Sequence, residues 1–170
     1  MKRRKRIGSL SLGARLVLLR RGMLDPCEIA DAVADFGVEY FVEAKPDVEQ
    51  LLDHDDPIVR YSAIVALGFD FCTTDRIERL LDILFRDPDR DCRRAAAAAF
   101  GCLHRGTNDK RIAGALAVVV RNKNEEDDVR IFAYTALLNV LGIPRNLQPD
   151  PLSMALGDID WELVRGYSAL

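Results

Sequence analysis

Residues able to do chemistry are few in this chain, and their spacing is uninformative. Its two histidines, His54 and His104, lie fifty residues apart, and neither belongs to an H-E pair, an H-x-x-x-H motif or a Cys/His cluster. Cys27, Cys72, Cys92 and Cys102 form no C-x-x-C pair, which disfavours both a zinc site and a disulfide framework and points to a reducing cytoplasm. Cys72 and Cys102, near the ends of amphipathic stretches, read as small core residues rather than nucleophiles. No glycine-rich phosphate loop or nucleophile elbow is present. The acidic run Glu125-Glu126-Asp127-Asp128 stands at a helix start, where the macrodipole and capping explain it. The expectation is a protein without catalytic residues, metal or cofactor.

Charge is the next source of function, and it is unevenly placed. The 170 residues carry 24 bases and 27 acids, a net charge of -3. Residues 1 to 22 hold eight bases and no acid (+8), so the other 148 hold 16 bases against 27 acids, or -11. The start superficially resembles a secretory signal, but Arg15 interrupts the apolar core of Ile7 to Leu19, and Arg20-Arg21 stands where cleavage is expected. We read a first helix, Ser9 to Arg21, packing through Leu10, Ala14, Val17, Leu18 and Arg21. Lys2, Arg3, Arg4, Lys5 and Arg6 offer contacts to nucleic acid or an anionic membrane, or a solubilising tail. The acidic remainder with one tryptophan, Trp161, argues against a nucleic-acid groove in the body. No apolar run approaches the roughly 20 residues of a transmembrane helix.

Internal repetition organises the rest. One pattern recurs: an apolar residue, Arg, then two alanines three apart, then a large apolar residue. It reads Val59-Arg60, Ala63, Ala66-Leu67-Gly68; Cys92-Arg93, Ala96, Ala99-Phe100-Gly101; and Val129-Arg130, Ala133, Ala136-Leu137, with a fragment at Val164-Arg165. The arginines are 33, 37 and 35 residues apart, among the periods of helical repeats. Bulky apolar helices precede the copies, with Val48, Leu51 and Leu52, then Ile77, Leu80, Leu81 and Leu84, then Ile112, Leu116, Val119 and Val120. Between the two helices of each unit lie Asp55-Asp56-Pro57, Asp87-Pro88-Asp89 and Asn122 to Asp128, which cap free amides and start second helices near Pro57, Arg90 and Asp127. Gly68, Gly101 and Gly142 are placed to stop those helices at positive φ.

Asp56-Pro57, Val59-Arg60, Ala63 and Ala66-Leu67-Gly68 resemble the second half of a HEAT repeat, of the short bacterial type also found in phycobilisome lyase subunits. The likeness covers residues 46 to 142. Before it, Asp25-Pro26 begins a helix with Ile29, Val33 and Phe36 but no Val-Arg signature, and residues 158 to 170 resemble an incomplete unit. It implies an all-α, right-handed α-α superhelix of about four to five hairpins over residues 23–170, behind the basic segment 1–22. HEAT-like iron hydroxylases depend on His-Glu pairs, which this chain lacks, and HEAT-like DNA glycosylases need a basic concave surface.

The repeat letters also have physical readings. Alanines on one face let helix axes approach near the close end of the 8–10 Å range. Arg60, Arg93, Arg130 and Arg165 form a structural ladder, with Asp56, Asp89 and Asp127 as local acids for the first three. One, five and nine residues beyond each Arg lies a second stripe: Tyr61, Val65 and Phe69; Arg94, Ala98 and Cys102; Ile131, Thr135 and Asn139. The resemblance puts this stripe on the concave side. There Tyr61, Val65, Phe69, Arg94, Arg105 and Ile131 form a shallow groove for a peptide or helix of another protein; the other reading makes Phe69, Cys102 and Ile131 core. The expected function is a non-enzymatic adaptor or scaffold. The alternatives are an auxiliary enzyme subunit of bilin lyase type, and a nucleic-acid or membrane-surface adaptor working through the basic N-terminus.

Overall fold

The computed structural model describes residues 8–167, so Lys2 to Arg6 lie outside the described residues, as does the end of the last repeat fragment. Among the described residues every regular element is helical. The chain divides into two compact units, one ending at Thr73 and the other beginning at Thr74.

In the first unit, α1 (Leu12–Arg20) packs on α2 (Pro26–Val38), and α2 packs on α4 (Pro57–Val65). The short α3 (Lys45–Gln50) tightens into a 3₁₀ turn, Leu51–Asp53, before α4. Ser11 caps α1, which therefore starts later than Ser9. Its buried residues are Arg15 and Leu16, whereas Val17 is exposed, so the packing stripe differs from the one expected. The guanidinium of Arg15 turns inward because Asp35 of α2 pairs with it and the Leu10 and Gly8 carbonyls accept from it. Such satisfaction is what allows a cation to be buried.

α2 is itself a second helix. Asp25-Pro26, Ala32 and Phe36-Gly37 precede Asp56-Pro57, Ala63 and Leu67-Gly68 by a constant 31 residues. Asp25 and Glu28 complete a capping box at its start, and Ala32, Val33 and Phe36 are fully buried. α4 does not stop at Gly68. It widens into a π turn, Ala66–Asp70, in which the Phe71 amide reaches the Ala66 carbonyl, and Gly68 is buried there without positive φ. The chain turns instead at Cys72, whose φ of 48° is left-handed and whose side chain is exposed rather than core.

The second unit holds two hairpins: α5 (Ile77–Arg86) with α6 (Arg90–Leu103), and α7 (Lys110–Arg121) with α8 (Asp127–Val140). The second helices α4, α6 and α8 start at the three expected residues. Ala63, Ala66, Ala96, Ala99, Ala133 and Ala136 are all buried. α6 and α8 lie so close that a Cβ on Gly101 would stand 2.8 Å from Ala136 Cα. Gly101 is thus an interior residue of α6 chosen for close approach, not a helix stop; Gly142, at φ 72°, does end its helix. After α8 the chain folds back: Gln148 donates to Asn139, the Asp160 amide donates to the Tyr134 hydroxyl, and α9 (Trp161–Gly166) buries Val164.

Candidate functional site

Arg60, Arg93 and Arg130 each donate to backbone carbonyls, and Asp127, the neighbouring acid expected for Arg130, also accepts from it. Asp56 and Asp89 spend their carboxylates capping Ile58 and Cys92. Arg60, buried, donates to the carbonyls of His54 and Asp55, closing the turn before its own helix. His54 completes that turn by accepting from the Asp56 amide. Arg93 donates to the Asp87 carbonyl and makes a bidentate pair with Glu125 at 2.8 and 2.9 Å, with Glu126 beside it. The hydrogen bonds that Arg93 donates to Glu125 raise its pKa by favouring the charged guanidinium. Arg130 donates to the Val120 carbonyl and to Asp127, under the Trp161 ring. Arg165 lies exposed in the six-residue α9, unlike the buried Arg60 and Arg130. The acidic run 125–128 is therefore more than a dipole feature, since it supplies one half of the α6–α8 ion pairs.

The positions one, five and nine residues beyond the repeat arginines differ between the units. In the first, Ile58, Tyr61, Val65 and Phe69 recur at intervals of three, four and four along one side of α4, opposite the buried Val59, Ala63, Ile64 and Leu67. Ile58, Tyr61 and Phe69 are exposed to 45, 39 and 42%. At the 31-residue offset, Cys27, Ala30, Ala34 and Val38 are the matching residues of α2; Cys27, Ala34 and Val38 are exposed, and Ala30, the match of Tyr61, is buried. The two helices run parallel: a Cβ on Gly37, near the end of α2, would meet Asp70 Cγ, near the end of α4, at 2.9 Å. Tyr40, at φ 50°, adds an exposed ring tilted against that of Phe71, with centroids 5.8 Å apart.

In the second unit the equivalent positions are charged or covered. Arg94 pairs with Asp91 and Asp128 and lies 5.3 Å above the Phe132 ring. Ile131 and Thr135 are buried, Cys102 is half-buried, and Arg105 is exposed in the turn after α6. Tyr61, Val65 and Phe69 thus share one helix side, whereas Ile131 is a core residue of α8. Ile58 and Val38 belong with the exposed group and were not among the residues read as the stripe. The 31-residue offset was the signal that would have found them.

Of the two histidines, His104 has a carboxylate nearby. His104 Nδ1 is 3.6 Å from Asp109, and its Nε2 is buried with no hydrogen-bond partner among the described residues. Burial pushes its pKa down. Among the described residues no group of three or more His, Cys, Asp or Glu side chains could hold a metal ion.

Residues 26–101 match the family model described as HEAT repeats. This segment consists of HEAT repeats. It begins at the first residue of α2 and reaches Gly101 in α6, so the helix without the Val-Arg letters is included. No curated protein and no solved structure matches the chain. HEAT repeats generally serve as protein-interaction scaffolds, and nothing in the match narrows these to the lyase type. Among the described residues, no helix is long and apolar enough to cross a membrane.

Proposed function

We propose that this HEAT-repeat chain is a non-enzymatic adaptor that docks another protein on the solvent-exposed side of α2 and α4. The observation that carries the reading is the line of exposed Ile58, Tyr61 and Phe69 with half-buried Val65 among them, although the opposite side of the same helix is fully packed. Leaving three large apolar side chains in water along one line forgoes burial worth about 25 cal/mol per Å², and patches of this kind mark interaction surfaces. Aromatic anchors on a rigid helix lose little entropy on binding. In the second unit, taken by itself, Arg94 and Arg105 are proposed as partner contacts of their own, whereas Ile131 belongs to the core of α8. The cysteines form no C-x-x-C pair and no clustered spacing, which supports a reducing compartment such as the cytoplasm.

The test compares affinity capture from the native lysate using the full chain and its Tyr61→Ala/Phe69→Ala variant. A partner retained by the native chain should fall at least about tenfold with the variant, since truncating hot-spot residues costs about 2 kcal/mol or more, while the melting temperature stays near its original value. Equal recovery by both proteins would refute the site.

A further inference from the structure

The apolar line on α4 is set in the most acidic stretch of the chain. Residues 23–73 contain twelve acids and two bases, a net charge of -10, while residues 74–170 contain fifteen acids and fourteen bases, or -1. Both bases of the acidic stretch are engaged: Lys45 is 3.9 Å from Glu49, and Arg60 is buried against backbone carbonyls. Acids stand at both ends of the line. Asp55 is exposed just before α4; Asp70 closes the π turn, with Glu39 exposed at the end of α2 that meets it. Among the described residues Asp70 has no cationic partner, and partial burial pushes its carboxyl pKa up, so a nearby positive charge would relieve it.

The same unit already shows how such a surface is covered. α1 is a short basic helix, and it docks by setting Arg15 against Asp35 and Arg20 against Asp47, the latter through two hydrogen bonds at 2.8 and 3.0 Å. Those contacts use α2 and α3 and leave the α4 line open. From Ile58 to Phe69 the line spans about 16 Å at 1.5 Å per residue, or about three turns of a partner helix.

We infer that the partner segment received by α4 is a basic amphipathic helix, its apolar side laid on Ile58, Tyr61, Val65 and Phe69 and its Lys or Arg residues reaching Asp55 at one end and Glu39 and Asp70 at the other. This inference rests on the docking reading above and adds the chemistry of the occupant. Apolar contact supplies the affinity, and the acids select the sign of the partner and speed its approach.

The experiment uses the full chain and three fluorescent peptides of about 15 residues, long enough to form a helix on the surface. One is a Leu/Lys amphipathic helix, the second has the same composition with its periodicity scrambled, and the third is the Leu/Glu counterpart. Binding is read by anisotropy, and self-association by sedimentation. The Leu/Lys helix should bind at least about tenfold more tightly than either control. Tyr61→Ala/Phe69→Ala should remove that advantage. Glu39→Gln/Asp70→Asn should weaken the Leu/Lys peptide severalfold at low salt, with the difference fading at about 1 M salt, where the Debye length is about 3 Å. Equal binding of the scrambled peptide, or binding indifferent to Tyr61 and Phe69, would overturn the proposal as plain charge attraction. Binding of the Leu/Glu helix that depends on Tyr61 and Phe69 would overturn the basic partner while leaving the docking reading intact. Self-association of the native chain, lost in the Tyr61→Ala/Phe69→Ala variant, would overturn it in favour of a second copy. No stripe-dependent binding by any peptide would also overturn it.

Discussion

Gly101 shows how a single residue fixes an interhelical distance. Its hydrogen faces Ala136 where a methyl group would stand 2.8 Å from Cα and 2.9 Å from Cβ, both parts of a buried helix that cannot swing aside. Gly101→Ala should therefore destabilise the chain by roughly 1 to 3 kcal/mol despite the better helix propensity of alanine, and chemical denaturation would register it. In the sequence this glycine looked like a helix stop, because a Gly after an apolar run gives the same letters in both roles. Only the neighbouring helix decides between them. His104 carries the second prediction at this scale. Its folded-state pKa lies below that of the unfolded chain because burial disfavours the imidazolium, with Asp109 opposing this more weakly. The unfolded chain then binds more protons, so stability is lost as pH falls through the unfolded value of about 6.5. Urea midpoints between about pH 7 and pH 5 should fall more steeply for the native chain than for His104→Leu. Parallel curves would show that the buried Nε2 has no energetic consequence.

At the scale of elements, the starts of α4 and α6 were legible because the Asp56 and Asp89 caps, the nearby Pro57 and Pro88 and the apolar-Arg-Ala pattern agree locally. The start of α8, whose Glu126 makes no side-chain cap, was marked by the pattern and its acidic first turn. Asp89 accepts from the Cys92 amide at 3.0 Å, and Asp89→Ala should cost about 1 kcal/mol in the unfolding free energy. A cost near zero would mean that water caps α6 equally well. α2 was harder to place in the repeat series, since Glu28-Ile29 replaces the Val-Arg pair, although Pro, Ala, apolar and Gly positions repeat 31 residues later in α4. The ladder acceptors were illegible for another reason. Arg60 and Arg93 reach carbonyls five and six residues back, and Glu125 lies 32 residues from Arg93, distances that no local pairing rule covers. The π turn at Ala66–Asp70 likewise follows from how the Phe71 and Thr73 amides find carbonyls, not from composition.

For the molecule as a whole, an acidic first unit leaves apolar side chains exposed on α4, while the second unit fills the matching positions with ion pairs and core residues. Composition revealed the acidity of the body after residue 22 but not which helix side it would frame, because helix phase near Gly68 depended on the π turn. The central claim is that another protein occupies the α4 line, and site-specific photocrosslinking reads this directly. A photoreactive residue at Tyr61, Val65 or Phe69 should yield one discrete crosslinked product in the native cell, whereas the same probe at Val118, exposed to 47% on α7, should yield none of that product. Equal crosslinking from Val118, or none from the three α4 positions, would contradict the account.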